Sequence, residues 1–399
     1  MLAIDGGAPV RTAPIPAWPY FAEDEVEAVA GVLRSGKVNY WTGELGKRFE
    51  QDFAKFHGSK HAIALANGTV ALELALYALN IGPGDEVIVP AKTFIATASC
   101  VVMRGAKPVV VDIDPDSQNI SLAAIEKAMT ARTKAIIVVH LGGWPCEMDA
   151  ILDFARQHDL KVIEDCAQAL GAEYKGKRVG CFGDAAAFSF CQDKIITTGG
   201  EGGMLLLKDE AAWRKAWAFK DHGKDYDLVT HIQHPPGHRW LHTSFGTNWR
   251  MTEMQAAIGL LQLQKLPDWL AMRRAHSAAL THALSGVVAL NIPARPDWIS
   301  DAYYRLYAFI RPEALKAGWH QNRIVAAINA EGAPCFHGSC SEIYREQAFD
   351  GLISPSIQLE HAHCTGETSL AFLVHPTQSA QDIAQIAEAV IKVFRHATR

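Results

Sequence analysis

The sequence lacks the features of several common classes of protein. Its 399 residues carry a formal net charge of −5, so no basic excess points to nucleic acid or to an anionic membrane surface. No apolar run reaches the roughly 18 residues that can cross a bilayer, and the N-terminus has no charged segment followed by an apolar one. The sequence therefore predicts a cytoplasmic protein that binds neither nucleic acid nor membrane.

Paired cysteines and zinc motifs are also missing. The eight cysteines include no CxxC pair, and most lie among apolar or small residues. This pattern is typical of reduced, partly buried thiols and disfavours disulfides or zinc. There is no HExxH motif, and His234 and His238 flank two prolines, so they cannot share a helix face. We predict no metal site.

Two nucleotide-binding motifs can be excluded in the same way. No GxGxxG follows a first strand, and Gly199–Gly203 has a different spacing and precedes a strand. Gly171–Arg178 nearly fits a P-loop, but Arg178 offers no hydroxyl for Mg²⁺. Tyr174–Lys177 is more typical of a hairpin turn than of a helix start. Neither a Rossmann oxidoreductase nor a P-loop ATPase is predicted.

What the first two thirds of the chain does contain is an alternation of strand and helix patterns. The strand patterns are His61–Leu65, Glu86–Val89, Pro108–Asp112, Ala135–Val139, Lys161–Asp165, Ala186–Phe190 and Met204–Leu207. Continuous hydrophobicity in runs this short indicates strands covered on both faces, as in a parallel sheet. With helices such as Thr69–Leu79 between them, they predict an α/β fold, a three-layer α/β/α sandwich around a mostly parallel seven-stranded sheet.

The last third predicts a smaller α/β unit. A helix is expected over Glu253–Leu266, capped by Thr252 and with Pro267 near its end. An arginine- and alanine-rich helix, a strand within Tyr303–Ile310, a helix near residues 321–331 and a final helix near residues 380–396 follow. We predict a large domain over residues 1–265, including the N-terminal segment, and a small C-terminal domain over residues 266–399.

Two polar residues follow apolar strands at the edge where ligands bind in such sheets. Lys194 lies between the strand that ends at Phe190 and a glycine-rich turn, and Asp165 ends the strand Lys161–Asp165. Pyridoxal phosphate (PLP) needs these two groups, an amine that bonds to it and a carboxylate that keeps its ring nitrogen protonated. A salt bridge from Asp165 to an arginine is the alternative interpretation.

Other strand ends supply groups that could complete a PLP site. Gly68 and Thr69 open a helix whose free N–H groups favour a phosphate, although a simple N-cap is an equal alternative. The Ser189 hydroxyl could reach a phosphate oxygen. Phe94 could stack on a flat ring or serve only in packing. Each residue alone is ambiguous, and their consistent positions at the strand ends favour one site.

The same segments closely resemble the DegT/DnrJ/EryC1/StrS family of PLP-dependent sugar aminotransferases, which have the fold-type I PLP-transferase fold. The resemblance covers residues 32–36, 67–69, 90–96, 164–172, 188–203 and 246–251, and it weakens in the small domain. It implies that Lys194 forms the internal aldimine and shuttles protons between substrate and coenzyme. It further implies that Asp165 pairs with the pyridinium nitrogen, that Phe94 stacks on the ring and that Gln168 lies near the ring or its phenolic oxygen.

The resemblance also implies a phosphate site and a shared active site. Gly68, Thr69 and Ser189 would hold the phosphate, and Asn248 would reach it from the neighbouring subunit, which implies a homodimer. Relatives with histidine at the lysine position dehydrate sugars, an outcome that Lys194 disfavours. Cys191 departs from the usual histidine or glutamine, which puts substrate contacts in doubt more than the chemistry.

The reaction implied is transfer of an amino group from an amino acid, expected to be L-glutamate, to a keto-sugar. We expect a nucleotide-linked sugar. The opening Gly6–Arg11 with Pro16–Pro19 resembles the branch that acts on cyclitols and aminobenzoate precursors, and a cyclitol is the alternative acceptor. Tyr40–Gly43 and His231–Trp240 are candidates for shaping the substrate pocket. A non-catalytic PLP-binding sensor is the remaining alternative, although the chain has no evident output module.

Overall fold

The computed structural model of the chain describes residues 1–233, 240–354 and 358–399. Most of the predicted pocket loop His231–Trp240, with His234, His238 and Arg239, lies outside the described residues. The helices are α1 Glu23–Ser35, α2 Leu45–His57, α3 Gly68–Ala78, α4 Ala96–Met103, α5 Leu122–Ala128, α6 Met148–Gln157, α7 Glu210–Lys220, α8 Tyr226–Thr230, α9 Glu253–Leu284, α10 Gln321–Ala330, α11 Glu360–Thr368 and α12 Ala380–Ala397.

The strands include each of the seven predicted from the sequence, with ends that differ by at most two residues. They are β1 His61–Leu65, β2 Glu86–Pro90, β3 Lys107–Val111, β4 Thr133–Val139, β5 Lys161–Asp165, β6 Glu173–Tyr174, β7 Lys177–Arg178, β8 Ala185–Ser189, β9 Gly203–Leu207, β10 Leu290–Asn291, β11 Ile299–Ser300, β12 Leu306–Ile310, β13 Cys335–Phe336 and β14 Ser369–Phe372.

A seven-stranded sheet forms the centre of the large unit, in the order β1-β9-β8-β5-β4-β2-β3. Strand β9 is antiparallel to both of its neighbours, and the other pairs are parallel. Side chains along β4 alternate between two cores, since Ile137 packs in one and Ile136 and Val138 pack in another. The sheet is therefore buried on both faces, as continuous hydrophobic runs predict, and the expected fold class is confirmed.

A second, antiparallel sheet lies in the last third of the chain, in the order β10-β12-β14-β13. Its core includes Leu306, Ile324 and Val390, and Leu2 from the N-terminal segment packs into the same core. The N-terminal segment is also tied to this unit by Glu331, whose carboxylate accepts hydrogen bonds from the N–H groups of Ala3 and Val10 at 2.8 and 3.0 Å.

The helix predicted to end near Pro267 continues to Leu284, so that prediction is wrong. A proline inside a helix removes one hydrogen bond and costs roughly 3 kcal/mol. Burial outweighs this cost, because apolar residues recur at helical spacing beyond the proline, with Leu270 in the large unit's core and Leu280 and Leu284 in the smaller one. The predicted boundary at residue 265 falls inside α9 and stays a prediction.

Three exclusions made from the sequence can be compared with the structure. All eight cysteines are free, and Cys100, Cys146, Cys166 and Cys335 are buried; their reduced state stays a prediction. Strands β6 and β7 pair as a tight antiparallel hairpin, so Gly171–Arg178 is not a phosphate-binding loop before a helix. Among the described residues, none of the helices combines the length and hydropathy needed to cross a membrane.

Candidate active site

A cavity of about 860 Å³ opens at the carboxyl ends of the parallel strands, between the two units. Seven of the eight predicted site residues line it, namely Gly68, Thr69, Phe94, Asp165, Gln168, Ser189 and Lys194. Parallel strands bring their carboxyl ends to one edge of the sheet, which explains how residues up to 126 positions apart meet in one site.

Lys194 is the cavity's amine. Its side chain is 18% exposed, and Nζ lies 3.3 Å from Asp193 Oδ1 and 4.9 Å from the ring centre of Tyr304. Burial disfavours the charged amine, but Tyr304 and Asp193 outweigh it and raise the pKa of Lys194. A cationic ring beside the amine would lower its proton affinity, whereas the protein's own groups raise it. The Trp18 indole donates to the Lys194 carbonyl at 2.9 Å.

Asp165 is the buried carboxylate of the cavity. Oδ1 accepts a hydrogen bond from the N–H of Ala167 at 3.1 Å, and Oδ2 accepts one from Thr97 Oγ1 at 2.9 Å. Burial raises the pKa of Asp165, against the lowering effects of these bonds and of the Lys194 charge. A cationic group placed against this carboxylate would relieve the cost of its burial. The alternative salt bridge to an arginine is absent from the described residues.

The neighbouring Glu164 points away from the cavity and fixes the strand end. Its carboxylate accepts the N–H groups of Gly180, Phe182 and Gly183, each at 2.7 Å, and lies 3.1 Å from His140 Nε2. Burial alone would raise the pKa of Glu164, but the hydrogen bonds from His140 and the backbone hold it below its usual value. Strand β5 therefore ends in two carboxylates, one structural and one facing the cavity.

The start of α3 forms a cradle suited to an anion. Asn67 caps the helix through the N–H of Val70 at 3.0 Å, which leaves the N–H groups of Gly68 and Thr69 without a partner among the described residues. A Cβ on Gly68 would lie 2.7 Å from Ser189 Cβ, so only glycine allows this close approach. Free N–H groups and a nearby hydroxyl are the donors that a phosphate requires.

The remaining predicted residues have different surroundings. Gln168 is held in place, since its Oε1 accepts from the N–H of Gly142 at 2.7 Å and its Nε2 lies 3.4 Å from Ser339 Oγ. Phe94 is 67% exposed, with its ring free to contact a ligand at the cavity mouth. Cys191 lines the cavity with its Sγ 3.9 Å from Glu201 Oε1.

Asn248 is exposed and does not line the cavity of its own chain. Its backbone pairs with that of Asp221, whose carboxylate lies 2.6 Å from Arg250 Nη1. Tyr40–Gly43 do not line this cavity either, so the expectation that they shape the substrate pocket is not met within one chain. Tyr40 is buried instead, with its hydroxyl 3.0 Å from Glu50 Oε2.

Several residues that line the cavity or support its lining from behind were missed from the sequence. Thr97 supports Asp165, and Asp193, Tyr304 and Arg305 form a network beside Lys194. Phe336 and residues 338–340 of the C-terminal unit also line the cavity. Asp193 stands directly before the lysine, which was a usable signal. The others come from distant parts of the chain, and no local pattern marks them.

Chemically, the site combines an amine, a buried carboxylate and an anion cradle in one cavity. The chain's sequence matches the profile of the DegT/DnrJ/EryC1/StrS aminotransferase family over residues 19–391. The chain belongs to this family. A solved structure of the aminotransferase from Psychrobacter cryohalolentis is 50% identical, with a TM-score of 0.94 over 96% of this chain and 99% of that one.

Two curated relatives extend the comparison. A GDP-perosamine synthase from Caulobacter vibrioides is 49% identical over 236 residues, 58% of this chain, and the match spans 61% of that enzyme's length. An L-glutamine:2-deoxy-scyllo-inosose aminotransferase from Streptoalloteichus tenebrarius is 37% identical over 338 residues, 83% of this chain and 78% of that enzyme. The first of these relatives is named for a GDP-linked product, and the second for the transfer of an amino group to 2-deoxy-scyllo-inosose.

Proposed function

We propose that this aminotransferase uses PLP, bound in the cavity, to move an amino group from L-glutamate to a nucleotide-linked keto-sugar. The observation that carries the proposal is the convergence of Lys194, Asp165 and the Gly68 cradle on one cavity. These are the amine, the carboxylate and the phosphate site that this coenzyme needs. The described residues thus fit the coenzyme that the family implies.

Each end of the coenzyme would have its own partners. The N–H groups of Gly68 and Thr69, with the Ser189 hydroxyl, would hold the phosphate. Asp165 would hold the protonated ring nitrogen, and Phe94 would cover the ring. When bound, the coenzyme supplies an electron sink for the substrate carbon.

Two further residues would act at the ring. Lys194 would anchor the coenzyme through its amine and, when released, carry a proton to and from the substrate carbon. Gln168, fixed by the Gly142 N–H, would contact the ring or its phenolic oxygen.

We propose further that the active protein is a homodimer with shared sites. Asn248 is exposed and lies outside the cavity of its own chain, which leaves its amide available to the phosphate site of a second subunit. Two measurements on the wild type and on Asn248→Asp test this, the molar mass in solution and the affinity for PLP. A dimer that loses coenzyme affinity in the variant supports the shared site, and a monomeric active protein overturns it.

The acceptor is proposed from the relatives. The relative with 49% identity is a GDP-perosamine synthase. The cavity volume of about 860 Å³ lies near the upper end of the range for small-molecule and cofactor sites, which favours a large acceptor such as a nucleotide-linked sugar. A cyclitol is the second candidate, because a cyclitol aminotransferase matches 83% of this chain. A panel of nucleotide-linked keto-sugars and a keto-cyclitol, assayed with the loaded protein, decides between them.

The first experiment is an absorption spectrum of the protein loaded with PLP, before and after excess L-glutamate. The proposal expects a visible band that moves to shorter wavelength with glutamate and returns when the correct acceptor is added. Lys194→Ala should lose the band. A band that ignores glutamate, glutamine and alanine would favour a coenzyme-binding sensor, and no band at all would overturn the coenzyme site.

A further inference from the structure

Arg305 is a cavity cation that the proposed reaction has not yet used. It precedes β12 in the C-terminal unit, and its guanidinium lies 4.7 Å from the ring centre of Tyr304 and 5.7 Å from that of Phe336. It is 22% exposed, and its one hydrogen bond to a described residue runs from Nη2 to Asp193 Oδ2 at 3.3 Å. Most of its five N–H groups therefore remain available to a ligand in the cavity.

Asp193 stands between this guanidinium and the reactive amine. Oδ1 lies 3.3 Å from Lys194 Nζ, and Oδ2 lies 3.3 Å from Arg305 Nη2 and accepts the Tyr304 hydroxyl. One carboxylate thus separates the amine from the guanidinium. In an α-amino acid the group next to the reacting nitrogen is also a carboxylate, which is attached one carbon away. A donor whose nitrogen takes the place of the Lys194 amine brings its α-carboxylate within reach of Arg305.

We propose that Arg305 binds the α-carboxylate of the amino donor, and that Asp193 occupies this position while no donor is bound. The inference rests on the proposed function and identifies the part of the site that selects a carboxylate-bearing donor. When Arg305 turns to the donor, Asp193 keeps Lys194 and Tyr304 as partners, so its charge stays compensated. A guanidinium pairs bidentately with a carboxylate, which favours the exchange.

The pair also explains how one pocket can take two unlike substrates in turn. A keto-sugar ring has no carboxylate to offer, and a partly buried guanidinium without a partner is costly. Returning Arg305 to Asp193 removes that cost while the sugar is bound. The cavity then offers the free Arg305 guanidinium to the donor, and the neutral ion pair of Arg305 and Asp193 to the acceptor.

The test uses the PLP-loaded protein and the variant Arg305→Met, with Arg323→Met as the matched control. Arg323 also stacks on an aromatic ring, 4.4 Å from the centre of Trp319, but it is exposed and outside the cavity. Glutarate, a dicarboxylate without an amine, is the probe, and its Kd is measured by calorimetry. Hydrogen bonds to charged groups of this kind correspond to about a 10- to 150-fold change in affinity.

We expect Arg305→Met to weaken glutarate by such a factor and to raise the KM for L-glutamate similarly. The KM for the acceptor should stay within about twofold, and Arg323→Met should change neither. Asp193→Asn, which removes the competing carboxylate, should bind glutarate more tightly than the wild type. The coenzyme's visible band in each variant shows that the site has folded.

Three results would overturn the inference: unchanged glutarate affinity in Arg305→Met, equal rises in both KM values, or weaker glutarate binding in Asp193→Asn. A failure of the proposed function looks different. In that case the wild-type protein, loaded with PLP, does not respond spectroscopically to any amino donor. The glutarate measurement needs no turnover, so it still decides whether Arg305 binds a carboxylate.

Discussion

Replacing Lys92 with methionine should stabilise the protein near neutral pH. Lys92 follows β2 and is fully buried, with Nζ 3.1 Å from Ser369 Oγ and 3.4 Å from the Thr365 carbonyl. Tyr307 lies beneath it, with its ring centre 5.6 Å from Nζ. Among the described residues the Cys340 thiol is the one titratable group that favours its charge, and burial lowers the pKa of Lys92 from 10.5 to about 7.

The sign and size of the effect follow from linkage. Between pH 7 and 10.5 the unfolded chain binds a proton at Lys92 that the folded chain does not, so the wild-type free energy of unfolding rises with pH in this window. Below pH 7 the penalty for the buried charge is complete, about 5 kcal/mol, and at pH 9.5 about 1 kcal/mol remains. The two lost hydrogen bonds offset about 1 kcal/mol each. The methionine variant should therefore gain about 3 kcal/mol of stability at pH 6 and lose about 1 kcal/mol at pH 9.5.

Denaturant unfolding of the wild type and of Lys92→Met at pH 6 and pH 9.5 measures this difference. Other titrating groups are common to the two proteins, so the change in their difference between the two pH values reports Lys92 alone. Lys37→Met, which removes an exposed lysine, is the matched control and should show little change. If Lys92→Met has the same effect at both pH values, the buried charge is not the cause and the reasoning is refuted.

Two further substitutions test the site, and a third tests the strand end that carries Asp165. Gly68→Ala should lower the affinity for PLP about tenfold or more, because the new Cβ would lie 2.7 Å from Ser189 Cβ; fluorescence titration with the coenzyme measures it. Thr97→Val should also weaken PLP binding, by about tenfold, because Asp165 loses a donor at 2.9 Å; the same titration applies. Glu164→Gln should destabilise the fold by about 3 kcal/mol, because its amide would face backbone N–H groups at 2.7 Å; thermal unfolding measures it.

Each of these three substitutions has a control variant, in which the same type of residue is changed in the same way at another position in the chain, outside the cavity. Gly31→Ala adds a Cβ with nothing within 4 Å and should be neutral or slightly stabilising. Thr368→Val changes a half-buried helix position outside the cavity and Glu388→Gln an exposed one. Both should change coenzyme binding and stability by no more than about 0.5 kcal/mol. A site variant that behaves like its control would show that the contact named for it has no role.

The sheet and the reactive pair could be predicted because their signals are local. A buried strand shows as a short apolar run, and Lys194 and Asp165 stand out where such runs end. The cradle at Gly68 followed from the same topology, since parallel strands share one edge. These features need no knowledge of how distant segments pack.

The remaining features depend on packing between distant segments. Tyr304 and Arg305 meet Asp193 across more than a hundred residues, and nothing in their own segment marks the contact. Pro267 was expected to end a helix by its local chemistry, but burial on both sides of it outweighs that preference. Lys92 has no exposed surface, although its type favours a solvated position.

Helix α9 limits how this protein can be divided for expression. Its first half supplies Leu263 and Leu266 to the core of the large unit, and its last turns supply Leu280 and Leu284 to the smaller core. A fragment that stops at residue 265 would expose the large unit's core where Leu266 and Leu270 are missing, and the remaining fragment would begin in the middle of a helix. Since Leu2 also packs in the C-terminal core, neither half of the chain holds a complete core of its own.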